Sequence, residues 1–282
     1  MGVWQAYRAL NAEQRRVLKT KQLSANRPID GIIQFLQPLA AYDRVGDKAR
    51  TRFGCGAGIG IVLLLVAGIT TASGAFPPAI GVPLFVLLVV ATLLLTYAWI
   101  WSKGVDLSNN LRQFMLPVLS LFREDIDPKQ KVHLRADLGS PVAKEKLQKT
   151  MDPYAHGAYY RIVESFYIDP WASAEMPLAD GSLLKWSITD HIRERKLRKK
   201  NPRGKIKMKT KYTVKTSVDV ELTLRSDAYA VTAAEGERVK AGGKKKAIRI
   251  KARHKRQDLA PLDPMVFIDM VAGIYRRATP AQ

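Results

Sequence analysis

The chain has 282 residues, of which 47% are hydrophobic and 25% charged, a composition that excludes wholesale disorder and fits one or two folded domains. Its formal net charge of +21 points to an anionic partner: nucleic acid, an anionic membrane surface or an acidic protein. The single cysteine, Cys55, excludes an intramolecular disulfide and a cysteine-based zinc site, and fits a reducing compartment.

Residues 3–22 predict one helix. Trp4, Tyr7, Leu10, Val17 and Leu18 fall near one side, with Arg8, Arg15, Arg16 and Lys19 elsewhere. A second amphipathic stretch carries Ile32, Ile33, Leu36, Leu39 and Ala40 at helical spacing, with Pro38 expected to kink it. Residues 1–52 thus read as basic amphipathic helices that lie on a membrane surface or pack on a soluble domain.

From Phe53 to Ser102 there are 50 consecutive residues without a charged side chain. A spanning helix needs about 20 apolar residues, so the run has room for two crossings. The break is "SGAFPP" at 73–78, where proline removes a donor and disfavours the helix before it. Helices are expected at about 53–73 and 79–101. Residues 1–52 hold ten Lys/Arg against four Asp/Glu, the connecting turn has no charge, and the basic bulk follows the second helix. Cations stay on the cytoplasmic side, so both termini are expected there, in a multi-pass protein of the inner (plasma) membrane. Tyr97, Trp99 and Trp101 then mark the headgroup level.

The glycines of "GCGAGIG" at 54–60 lack the strand and spacing of a nucleotide loop. They read instead as two overlapping small-residue pairs, Gly54/Gly58 and Gly56/Gly60, a helix-packing face through which the chain is expected to form a homo-oligomer.

Residues 103–130 predict a juxtamembrane helix and linker. Asp106 or Ser108 caps an apolar stripe of Leu107, Leu111, Phe114, Met115, Val118 and Phe122, bent at Pro117. From 131 to 282 the period changes to two. Strands are expected at 131–138, 159–168, 182–192, 205–225 and 245–253, and turns at Asp152-Pro153, Asp169-Pro170, Asp180-Gly181, 201–204 and the Ala-Gly-Gly at 241–243. The 205–225 strand, at about 3.3 Å per residue, would be roughly 70 Å long, so a bend or break is expected near Thr216 and Ser217. Asp263-Pro264 starts a closing helix with Phe267, Met270, Val271 and Ile274 inward.

The four histidines, His133, His156, His191 and His254, have no metal-ligand spacing, and no cofactor, metal or catalytic constellation is expected. The strongest functional signal is residues 193–211, with eleven cations and one Glu: Arg193, Arg195, Lys196, Arg198, Lys199, Lys200, Arg203, Lys205, Lys207, Lys209 and Lys211. Alternation places Lys205 to Lys211 on one face, with Ile206, Met208, Thr210, Tyr212 and Val214 on the other.

The expected architecture is a membrane α-helical hairpin plus a cytoplasmic β-rich domain, a sandwich or small open barrel, with flanking amphipathic helices. The expected function is non-enzymatic: the hairpin anchors a basic domain that binds anionic lipid or a protein partner. Nucleic acid ranks lower, because the segment offers only Tyr212 for stacking. In layout alone the chain resembles antiviral membrane effectors that join a membrane hairpin to a β-barrel. That resemblance implies the alternative, a β domain that senses an anionic nucleotide and a hairpin that oligomerises to perturb the bilayer.

Overall fold

The computed structural model describes residues 2–74, 77–225, 229–231, 238–242, 245–276 and 278–280. Ala75 and Phe76 of the first expected turn, and Gly243 of the Ala-Gly-Gly segment, lie outside them. The chain divides into two units: Met1–Thr20 with Gln37–Leu107, and Lys21–Leu36 with Ser108–Gln282.

The first unit is helical. Where one helix was expected over 3–22, there are two, α1 (Val3–Arg8) and α2 (Ala12–Thr20). Asn11 makes the break. Its side chain accepts from the Gln14 N–H at 2.8 Å, and the Gln14 side chain accepts from the Asn11 N–H at 2.9 Å, a reciprocal cap that restarts the helix.

Helix α3 runs from Ile29 to Ala72, 44 residues and about 66 Å at 1.5 Å per residue. It joins the expected amphipathic stretch to the expected apolar helix and continues through Pro38. Residues 41–52 contain no proline and several good helix formers, so a helix nucleated on either side propagates across them. Helix α4 (Pro78–Gly104) starts with Pro78 at its first position, where the missing N–H costs nothing. Both helices are long and apolar enough to cross a membrane.

The second unit is built on antiparallel strands. The segment Gln22–Pro28, within the 1–52 region expected to be amphipathic helices, is instead strand β1 and pairs along its whole length with β2 (Lys131–Asp137). Lys21, at φ 60°, ends the helical path just before it. The sheet continues with β3 (Leu147–Thr150), β4 (Tyr154–His156), β5 (Tyr159–Pro177), β6 (Leu183–Lys200), β7 (Ile206–Arg225), β9 (Arg238–Gly242) and β10 (Lys245–Arg256). These nine strands form one sheet in the order β1-β2-β5-β6-β7-β10-β9, with β3 and β4 also on β5. β8 (Tyr229–Val231) and β11 (Ala278–Pro280) form a separate pair. The expected sandwich or small barrel is thus, among the described residues, a single sheet path with helices on its apolar side.

Those helices follow from the apolar stripe at 107–122. A π turn at Leu111–Met115 leads into α5 (Leu116–Phe122), with the Leu116 N–H bonded to the Leu111 carbonyl. The wide turn sits one step before Pro117, which has no N–H to give. Phe114 packs edge-on against Trp171 at 5.3 Å, and Phe267 of α6 (Pro264–Tyr275) packs against Trp186 at 5.3 Å. Asp263 caps α6 by accepting from the Met265 N–H.

Two expected interruptions are absent. Asp169-Pro170 is not a turn: β5 continues through it as a bulge, with Pro170 and Trp171 together facing Thr189. A bulge needs no ladder donor from proline, and it leaves Trp171 only 1% exposed. Nor does β7 break at Thr216. Its register with β6 is unshifted from Leu183↔Thr223 to Lys200↔Ile206. The buried Thr216 hydroxyl donates to Asp190 Oδ1 at 2.6 Å and accepts from Arg256 Nη2 at 2.9 Å, so a polar residue on the covered side is satisfied in place.

Candidate functional site: a cationic hairpin tip

β6 and β7 are joined by a tight turn in which the Asn201 N–H donates to the Lys205 carbonyl and the Gly204 N–H to the Asn201 carbonyl. Gly204 has φ +80°, a conformation that disfavours any residue with a Cβ. The turn brings the two halves of the basic segment together: Arg195 faces Lys211, Lys199 faces Lys207, Arg198 faces Met208 and Lys200 faces Ile206. Strand β10 accompanies β7 only from Val214 to Arg225, so residues 206–213 form a sheet edge among the described residues.

Two of the eleven cations are neutralised locally. Glu164, 1% exposed, accepts from Arg193 at 2.6 and 2.7 Å and from the Tyr154 hydroxyl at 2.6 Å. The Arg193 guanidinium holds the Glu164 carboxyl below its usual range. Lys196 lies 3.2 Å from Glu194, which also accepts from the Tyr167 and Tyr212 hydroxyls. Arg198, Lys200, Arg203, Lys205, Lys207, Lys209 and Lys211 are exposed, and Arg195 and Lys199 are half-buried. Among the described residues eight of these nine have no acidic partner; Arg195 lies opposite Glu164 on β5, and its charge helps to hold that carboxyl down.

The alternation read from the sequence holds only in part. Val214, Thr216, Val218, Val220, Leu222 and Leu224 are buried, but Ile206 and Met208 are 53% and 73% exposed, and Thr210 is exposed too. On β6 the covered parity itself changes: Ile192 and Glu194 are buried, then Leu197, one step out of phase. The covered side of the sheet therefore changes near Glu194, and the tip beyond it carries cations on both faces.

Farther along the sheet, several buried charges are matched. Lys146 pairs with Asp137 at 2.9 Å and with Asp169 at 2.8 Å, and Arg256 with Asp190 at 2.9 Å. Burial pushes the Asp169 carboxyl up to about 6, against the opposing pull of Lys146. A shallow cavity of about 510 Å³ is lined by His133, Arg135 and Lys185 but also by Glu175, Asp219 and Glu221, so it has no excess of cations to select a phosphate. In the helical unit, Asp43, Asp47 and Asp106 lie together, and Arg50 reaches Asp106 at 2.5 Å and Asp47 at 3.4 Å.

The glycine run faces α4 at three of its four positions. A Cβ on Gly54 would meet Trp99 at 3.0 Å, one on Gly56 would meet Leu95 at 3.4 Å, and one on Gly60 would meet Thr92 Oγ1 at 2.5 Å; Gly58 has nothing within 4 Å. These contacts are within the hairpin. At the same, C-terminal end of α4, Trp4 stacks on Trp101 at 4.5 Å with Tyr7 edge-on at 5.8 Å.

Sequence reasoning did not find Glu164, Tyr154 or the exposed Ile206–Met208 pair. Glu164 stands 29 residues from Arg193, and no local pattern links them. Comparison of the chain with protein-family models, curated proteins and solved structures finds no match.

Proposed function

We propose that this is a non-enzymatic integral protein of the inner (plasma) membrane, anchored by the α3–α4 hairpin with both termini cytoplasmic, whose β unit binds anionic lipid headgroups. The observation that carries the reading is the hairpin tip: eight cations without an acidic partner among the described residues, in a chain that also holds two helices able to span a bilayer. Lysine on an edge strand also blocks unwanted strand pairing, but that role concerns the β7 edge alone. The excess here extends to β6, where Arg198 lies on a strand paired on both sides. Each cation near an anionic leaflet contributes about 1 kcal/mol, within a screening length of about 8 Å at physiological salt.

The test is co-sedimentation of the full chain, held in phosphatidylcholine nanodiscs, with phosphatidylserine-containing vesicles over a salt series. Binding that falls with salt and is mostly lost on changing Lys205, Lys207, Lys209 and Lys211 to Gln supports the reading. Equal binding by both proteins, or none by the wild type, removes it. Orientation is tested separately: a thiol reagent applied outside intact cells should modify Ser73→Cys in a Cys55→Ser background and spare a cysteine added after Gln282.

A further inference from the structure

The two faces of the hairpin tip differ in chemistry. On one, Lys199 faces Lys207 and Arg195 faces Lys211. On the other, Met208 faces Arg198 and Ile206 faces Lys200, with Arg203 in the turn beside them. This second face carries two large apolar side chains at 53% and 73% exposure, in the same register as residues fully buried farther along β7. Water is a poor environment for both, and nothing in the β unit covers them among the described residues. A surface that mixes exposed apolar groups with long cationic chains matches the boundary between headgroups and acyl chains. The apolar groups enter the boundary, and Lys and Arg extend their charged ends back to the phosphates. A nucleic acid would call for stacking rings, and the ring on this face, Tyr212, is half-buried and tied to Glu194.

We infer that this face of the tip inserts Ile206 and Met208 into the interface of an anionic phospholipid bilayer, with Arg198, Lys200 and Arg203 on the headgroup phosphates. This rests on the lipid reading above and adds to it a penetrating face and a defined orientation. The opposite face, with Lys205, Lys207, Lys209 and Lys211, stays in water but within about a screening length of the leaflet, where its charges still attract the tip to anionic lipid.

The experiment uses the full chain with Cys55→Ser, labelled with an environment-sensitive fluorophore at Met208→Cys or at Lys207→Cys. Each is placed in phosphatidylcholine nanodiscs with or without phosphatidylserine. With phosphatidylserine, the probe at 208 should brighten severalfold, shift to the blue and be quenched by spin labels high on the acyl chain. The probe at 207 should stay solvent-like. Equal responses at the two positions, no response at 208, or a response at 208 to an RNA oligonucleotide but not to phosphatidylserine would overturn the inference. As a second readout, the double variant Ile206→Ser, Met208→Ser should bind anionic vesicles about tenfold more weakly with all its cations intact. If it binds like wild type while the four-lysine variant does not, insertion falls and the lipid reading stands. If the wild type does not bind at all, both fall.

Discussion

At its wide end the β6–β7 hairpin buries Leu184, Trp186 and Ile188 beside Leu222, Val220 and Val218, and its buried carboxylate Asp190 is paired. Its partner is Arg256 of β10, and the two side chains are 7% and 11% exposed. At the tip, the same two strands in the same unbroken register leave Ile206 and Met208 in solvent and, among the described residues, eight cations without acids. The difference lies in what covers the strands. At the wide end β10 extends the sheet, and Trp186 meets Phe114 and Phe267 from the helices; beyond Val214, β10 has ended. Alternation decides which residues share a face, and the neighbouring layer decides whether that face is a core.

The contrast breaks most severely at the aromatic cluster. Phe114→Ala or Trp171→Ala should cost about 3–5 kcal/mol by leaving a cavity at a residue under 2% exposed, seen as a large fall in the denaturation midpoint. A midpoint close to wild type would mean that the helices do not form the core of the wide end.

Removing Arg256, as Arg256→Met, should cost about 3 kcal/mol, because it strands the Asp190 carboxylate in a buried site. Thr216→Val, which removes a hydroxyl that serves both, should cost about 1–3 kcal/mol. Arg198→Met at the tip should leave stability unchanged, and an equal loss there would erase the distinction between the two ends.

In the helical unit, Gly60→Leu should loosen α3 from α4 by about 1–3 kcal/mol, since its Cβ would fall 2.5 Å from Thr92 Oγ1. Gly58→Ala, whose Cβ would meet nothing within 4 Å, should not loosen the pair in the same melt.

Two buried carboxylates should give pH slopes of opposite sign. Asp169 has its folded value raised from 3.8 to about 6, so the folded state holds the proton more tightly and this group's contribution falls as pH rises from about 4 to about 6. Glu164 has its folded value lowered from 4.5, so its contribution is present above that pH and is lost as pH falls through the folded value. Thermal melts should show Asp169→Asn flattening the first slope and Glu164→Gln the second. An unchanged profile for Asp169→Asn would mean that burial does not hold that carboxyl up.

The smallest effect is expected for a single lysine at the tip. Lys207→Gln should change stability by less than about 0.5 kcal/mol, because its charge has no folded partner to lose. A larger loss would place that lysine in the structure of the sheet and weaken the case for a ligand.

Several features were legible from residue order alone. The uncharged run Phe53–Ser102 with its Pro-Pro break corresponds to the apolar parts of α3 and α4, because helix propensity and proline act within a few residues. The alternation at 131–138, 183–192 and 214–224, the Asn201–Gly204 turn and the Asp263 cap are equally local. The eleven cations of 193–211 were legible as a cluster for the same reason.

What the tertiary structure decided depends on partners distant in sequence. Gln22–Pro28 has little alternation of its own and is a strand because β2, more than 100 residues later, offers it a ladder. Thr216 stays inside β7 because Asp190 and Arg256 satisfy its hydroxyl, and Pro170 stays inside β5 because a bulge spares it a hydrogen bond. Ile206 and Met208 repeat the pattern of a core without one, because burial belongs to the second surface as much as to the first, and no periodicity within a strand encodes where that second surface ends.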